Sequence, residues 1–167
     1  MSSGYESFAD PQELLRRAGQ LGAKTIIFDI EPLVATWDSS QEELDRGLAV
    51  TLDQVSHMPG VQVVCFATNS DRRPSATLAS PGLRVMYVAS AGKPLRTAAY
   101  RDLPRPGLVI GDQILTDGLL ARRLGYTLLH YSPGLGSVPL GPRVLSGCGE
   151  LVRPFIFAGD RDENARP

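Results

Sequence analysis

Thr25-Ile26-Ile27-Phe28-Asp29-Ile30-Glu31-Pro32 is the stretch on which the fold turns. An apolar run without polar alternation predicts a β-strand covered on both faces, here over residues 24–29. The run ends on a carboxylate, Asp29, with a second acid two residues later at Glu31. A buried strand that delivers an acid at its carboxyl end is a place to look for chemistry, because ligands of open α/β sheets bind there.

Working outward, the flanks predict helices. Upstream, Asp10-Pro11 places an N-cap before a proline at the first helical position. Leu14, Leu15, Ala18 and Leu21 then form a helical stripe, and Gly22 marks its stop. Downstream, Ser40-Gln41-Glu42-Glu43 matches a capping box. It opens a helix carrying Leu44, Leu48, Leu52 and Val55, which Pro59-Gly60 ends.

The alternation continues. Strands are expected at 61–67, 84–88, 107–111 and 126–130, and helices at 72–79, 95–101 and 116–124. With the first strand this makes an α/β fold with a mainly parallel, five-stranded sheet, folded by right-handed crossovers into a three-layer sandwich. The expected organisation is a flexible tail at 1–9, one domain over 10–158 and a flexible tail at 159–167. Leu151 to Phe157 is expected to add an edge strand or to pack over the sheet.

Composition narrows the function. The 167 residues suffice for one domain with a real core. A net charge of −1 gives nucleic acid no electrostatic foothold. Cys65, inside an apolar run, reads as a core residue, and Cys148 as a loop thiol; two cysteines make no disulfide framework. No apolar stretch approaches the roughly 20 residues that span a bilayer. The absence of a basic-then-apolar leader makes a cytoplasmic location the expectation. His57 and His130 read as structural or surface residues, lacking partners at metal spacing. Gly134-Leu135-Gly136 lacks the third glycine of a dinucleotide motif. Arg72-Arg73 and Arg122-Arg123 read as solvated helix faces, the first pair having an anionic substrate as its alternative.

Four polar signals recur at strand ends or shortly after them: Asp29, Thr68-Asn69, Lys93, and Gly111-Asp112 with Asp117. If the strands are neighbours, these converge on one crevice. The groups suit a phosphate and a hard cation. Asp29 is a candidate nucleophile for a phosphoryl group. Thr68 and Asn69 are candidate phosphate ligands, ahead of a helix whose first N–H groups favour an anion. Lys93 would neutralise the phosphate and the developing charge. Asp29 and Asp112 would share Mg²⁺, which suits few carboxylates plus water and phosphate. Asp117 would ligate the metal, directly or through water, or position Asp112. Taken singly, each has a plainer reading: Asp29 a strand-end cap, Thr68-Asn69 a helix cap, Lys93 an exposed charge and Asp117 a first-turn helix acid.

Phe28-Asp29-Ile30-Glu31-Pro32-Leu33-Val34, Thr68-Asn69, Lys93-Pro94 and Gly111-Asp112-Gln113-Ile114-Leu115-Thr116-Asp117, in that order, resemble the haloacid-dehalogenase-like (HAD) superfamily. The leading helix ending near Gly22-Ala23-Lys24, Trp37-Asp38, and the Gly-Asp-Gln-x-Leu-Thr-Asp string resemble its YqeG-type branch, which includes phosphatidylglycerophosphate phosphatases. The resemblance covers roughly residues 10–131. It implies a Rossmann-like fold, Asp29 as nucleophile, Mg²⁺, an acid/base carboxyl at position 31 and a metal-ligating backbone carbonyl at that position. The chain departs from the pattern at two places. Glu31 stands where the family has a second aspartate, one methylene shorter, and Pro32 replaces its usual Asn.

Spacing bears on the substrate. The gaps from Asp29 to Thr68 and from Thr68 to Lys93 hold a loop, a helix and a strand, with no room for a cap domain. An uncapped crevice excludes water poorly unless the substrate itself covers it. The expected activity is Mg²⁺-dependent hydrolysis of a phosphomonoester through an aspartyl-phosphate. The expected substrate is large, either a phospholipid head group met by peripheral membrane contact or a phosphoprotein. The alternative is a catalytically impaired protein of the same fold, acting as a binding or regulatory module.

Overall fold

The computed structural model describes residues 4–132, 152–153 and 156–157. Cys148, Gly134-Leu135-Gly136 and the expected tail at 159–167 lie outside the described residues. The architecture is α/β: one all-parallel sheet with helices on both faces. The chain runs β1 (Tyr5–Phe8), α1 (Pro11–Gln20), β2 (Thr25–Asp29), α2 (Gln41–Ser56), β3 (Val63–Ala67), β4 (Arg84–Val88), β5 (Gly107–Gly111), α3 (Leu119–Leu124) and β6 (Thr127–Tyr131).

The strand order is β1-β6-β5-β2-β3-β4. The sheet therefore grows outward from β2 on one side through β3 and β4, then crosses to the other side with β5. The order reverses between β2 and β5, which is where open α/β sheets form their ligand crevice. Register carries the strand ends to one level: Asp29 pairs with Ala67, and Phe28 with Ile110.

Alternation along the strands builds two cores. Ile26, Phe28, Val64, Phe66, Leu108 and Ile110 face α1 and α2, where Leu14, Leu44, Leu48 and Val55 are fully buried. Ile27, Val63, Cys65, Val109 and Leu128 face the other layer, with Tyr100, Leu120, Leu124 and Phe157. Strands buried on both faces read as continuous apolar runs for this reason. Asp29 follows the parity of Ile27, so its side chain leaves the sheet on the second face.

Both expected helix starts form. Asp10 Oδ1 accepts from Gln12 N at 2.8 Å with Pro11 in the first turn. Ser40 Oγ accepts from Glu43 N, and Glu43 Oε2 accepts from Ser40 N at 2.7 Å, the reciprocal pair of a capping box. Gly47 lets α2 approach the loop after β2: a Cβ there would collide with the Val34 carbonyl.

Four expectations change. Among the described residues the sheet has six strands, not five, because residues 5–8 form an edge strand parallel to β6, with Tyr5 opposite Leu128. Glu6 ties this strand to α1 through paired bonds from Arg17 at 2.8 Å. Residues 72–79 form no helix. Pro74 withholds a donor there, and α2 satisfies the backbone instead: Asp45 Oδ1 accepts from Ser75 N, and Gln41 Nε2 donates to Arg73 O. Residues 95–101 supply only a 3₁₀ turn at Ala98–Tyr100. Ahead of α3 lies a π-helical turn, Ile114–Gly118, so the expected helix at 116–124 is regular only from Leu119. Near the C-terminus, the second of the two expected arrangements forms: residues 152–153 and 156 are helical, and Ile156 and Phe157 pack over the sheet.

Candidate active site

Three neighbouring strands end side by side, and each hands a polar residue to the crevice between them. Asp29 closes β2, Thr68 follows β3, and Asp112 follows β5. All three are buried. Lys93 arrives from β4 by a loop that passes through the left-handed region at Ser90 (φ 48°) and Gly92 (φ 62°). Ser90 N donates to Ser70 O and Ala91 N to Thr68 O, so this loop is stitched to the end of β3. The Glu31–Pro32 and Lys93–Pro94 peptide bonds are cis.

The charges meet in the crevice. Lys93 Nζ lies 2.8 Å from Asp29 Oδ1 and 2.8 Å from Asp117 Oδ1. Carboxylate oxygens of Asp29, Asp112 and Asp117 fall within 4.8 Å of one another. With Lys93 charged, three ionised acids leave two negative charges uncompensated in a buried place. Burial and the Asp117 charge accordingly push the Asp29 carboxyl well above the usual range, against the pull of Lys93. Burial, then Asp117, raises Asp112 to about 7. Burial also opposes the charge on Lys93, but Asp117 and Asp29 more than offset it and hold the ammonium protonated.

The donor set fits a divalent cation. Asp112 Oδ1 is buried and has no hydrogen-bond partner among the described residues. An orphaned carboxylate oxygen beside two further acids is what a hard cation satisfies.

Asp117 takes its place through the π-helical turn. Its Oδ1 accepts from Lys93 Nζ, and its Oδ2 accepts from Gln113 N at 3.3 Å. Gly111 makes room for it, since a Cβ there would collide with the Asp117 carboxylate. The Gly-Asp pair at the end of β5 is thus a packing requirement as well as a chemical one.

Glu31 takes a different place. Its Oε2 accepts from the buried Thr68 hydroxyl at 2.8 Å, and its Oε1 lies 3.8 Å from Arg72 Nη1. Its carboxylate is not in the Asp29–Asp112–Asp117 cluster. Thr68 Oγ1 also accepts from Ser70 N at 3.0 Å and shares a bond of 2.8 Å with Ser70 Oγ. No helix follows Thr68-Asn69, so an anion site at a helix start is absent there. Asn69 instead holds the lysine: its Oδ1 accepts from Lys93 N at 2.9 Å, and its Nδ2 donates to Lys93 O.

The crevice has a volume of about 240 Å³ and is lined by Asp29, Glu31, Trp37, Thr68, Asn69, Ser70, Gln113 and Thr116. Trp37 is half-buried at its rim. A larger apolar groove of about 360 Å³ lies between α1 and α2, lined by Leu15, Leu33, Val34 and Val50. It holds none of the convergent acids, so the smaller crevice is the candidate site. Segments 30–40 and 68–83 are loops, and among the described residues no separate domain covers the crevice.

Sequence reasoning missed two residues that build this site. Arg72 is no solvated helix residue. Its guanidinium donates to Thr36 O at 2.9 Å and Ser39 O at 2.8 Å, clamping the loop after β2 over the loop after β3. His130 is buried in β6, its Nε2 2.9 Å from Asp112 O and its Nδ1 within 3.2 Å of the Tyr5 and Ser7 hydroxyls. The signal for both was tertiary. Cys65 is fully buried, its thiol pushed up to about 12 by burial, which fits the core reading.

Comparisons with family models, with curated proteins and with solved structures found no match for this chain. Among the described residues no helix is long and apolar enough to cross a membrane.

Proposed function

We propose that this chain is a Mg²⁺-dependent phosphomonoester hydrolase of the HAD type, acting through an aspartyl-phosphate on Asp29. One observation carries the proposal: Asp29, Asp112, Asp117 and Lys93 converge at the switch in strand order, with an orphaned Asp112 oxygen among them.

Asp29 and Asp112 would hold the ion. Asp117, both of whose oxygens already accept hydrogen bonds, fixes Lys93 and the loop that carries Asp112. When bound, Mg²⁺ supplies charge neutralisation for the phosphate and its leaving group. Lys93 orients Asp29 through Oδ1 and leaves the other oxygen for attack on phosphorus. As the Asp29–phosphorus bond forms, the ester oxygen departs and takes the proton that Glu31 has received from the phosphate monoanion of the bound substrate. Water then attacks the aspartyl-phosphate and gives its proton to the Glu31 carboxylate. Phosphate leaves with that proton, and Asp29 and the Glu31 carboxylate are restored. Glu31 and Asp29 line the same crevice, as this exchange requires. The open crevice suits a large phosphorylated substrate that itself excludes water, such as a phospholipid head group or a phosphoprotein.

The test is phosphate release from a panel of phosphomonoesters that includes phosphatidylglycerophosphate, with and without Mg²⁺. Asp29→Asn is the blank. Mg²⁺-dependent release that vanishes in the variant is expected. A folded, Mg²⁺-binding protein that releases no phosphate from any substrate overturns the reading.

The bond between Glu31 and Thr68 favours a second reading, in which the site binds a phosphorylated partner and does not turn over. Glu31→Asp separates the two. A large gain in release marks a detuned enzyme, whereas no release from either protein marks a binding module.

A further inference from the structure

The Thr68 hydroxyl is fully buried and has a single proton to give. It gives that proton to Glu31 Oε2 at 2.8 Å. Ser70 N and Ser70 Oγ then take the acceptor positions on the Thr68 oxygen itself. Arg72 Nη1 stands 3.8 Å from the other Glu31 oxygen. A carboxylate held by a buried hydroxyl beside a guanidinium occupies the partners that an oxygen of a phosphate would take. An aspartate at this backbone position would fall one methylene short of Thr68.

We propose that the Glu31 carboxylate is the resting occupant of the Thr68 hydroxyl and that a phosphorylated ligand enters by displacing it. The inference rests on the phosphate-site reading above and makes Glu31 a specificity-determining residue as well as a proton carrier. The ligand must be a tetrahedral oxyanion that brings enough acceptors to replace the carboxylate. Its arrival frees Glu31 within the crevice that also holds Asp29, so acid–base service begins only when a phosphate is seated. The crevice thereby disfavours planar carboxylate ligands, which offer Thr68 nothing that Glu31 does not already provide.

The experiment is calorimetric titration of the full chain with orthophosphate at saturating Mg²⁺. The proteins are wild type, Glu31→Ala, Glu31→Gln, Thr68→Val and the Glu31→Ala/Thr68→Val double variant, each checked for folding by circular dichroism. Removing a charged competitor from one hydroxyl is expected to tighten orthophosphate by roughly 10-fold in Glu31→Ala. The gain shrinks to under about twofold when Thr68 is valine, because the two effects are coupled through one bond. Glu31→Gln, which keeps an acceptor oxygen on Thr68, gains less than Glu31→Ala. Should the alanine variant not fold, the glutamine variant carries the same comparison, its gain again depending on Thr68. Wild-type binding without a gain in Glu31→Ala overturns this inference alone, as does a gain that persists in full beside Thr68→Val. Absence of orthophosphate binding in every protein overturns it together with the phosphate-site reading.

Discussion

The Lys93 ammonium sits 2.8 Å from Asp29 Oδ1, in a place where the lysine side chain is 1% exposed and the aspartate side chain 10%. The same nitrogen reaches Asp117, so one cation serves two acids. Removing a partner from a buried pair leaves uncompensated charge and costs about 3–5 kcal/mol. Lys93→Met is expected to lose stability of that order in urea melts taken without Mg²⁺. Phosphate release should fall at least about 10²-fold, as for other losses of transition-state charge stabilisation. A variant as stable and active as wild type would show that the ammonium is incidental.

Asp112 sets the expected dependence on pH. Burial, then the Asp117 charge, raises its carboxyl to about 7 in the folded chain, against about 4 when unfolded. The folded state therefore binds the extra proton between these values, and stability from this group is lost as pH rises from about 4 to about 7 without metal. A cation needs the deprotonated acid, so it competes with that proton. The rise in melting temperature caused by Mg²⁺ should grow steadily from pH 5.5 to pH 8. Melts with and without Mg²⁺ across that range test this. A rise that is the same at every pH would remove Asp112 from the metal site.

His130 links the edge strand to the acid cluster. Its Nε2 holds the Asp112 carbonyl, and its Nδ1 meets Tyr5 and Ser7. His130→Ala would strand a buried carbonyl, at about 1–3 kcal/mol. It should also weaken Mg²⁺ binding roughly 10-fold, as lost outer-layer support does at metal sites. Deleting residues 1–9 should reproduce the weaker binding, because β1 supplies the other half of the link. Calorimetry with Mg²⁺ on both proteins decides, and unchanged affinity in both would confine His130 to a structural role.

Much of the fold was legible in local chemistry. The caps at Asp10 and Ser40 are contacts within three residues, and the runs at 25–29, 63–67 and 107–111 are buried on both faces. Periodicity and capping act over a few residues, so a sequence displays them directly. Where the structure differs, a distant partner decided. Residues 5–8 carry no pattern that separates a four-residue edge strand from a tail, and it is β6 that makes them a strand. Arg73 and Ser75 have their backbone groups satisfied by Gln41 and Asp45 of α2, which removes the need for a helix of their own.

The same division runs through the site. Asp29, Thr68, Lys93, Asp112 and Asp117 could be picked out because each stands at or after the carboxyl end of an expected strand, and a parallel sheet brings such ends together. Which oxygen meets which donor was not in the sequence. The strand order that seats β2 between β3 and β5 drew Lys93 to Asp29 and Asp117, turned Asn69 toward the lysine backbone, and let Glu31 reach Thr68. A side chain's type is a property of one residue, whereas its hydrogen-bond partner is a property of two chain segments that only the packed sheet brings together.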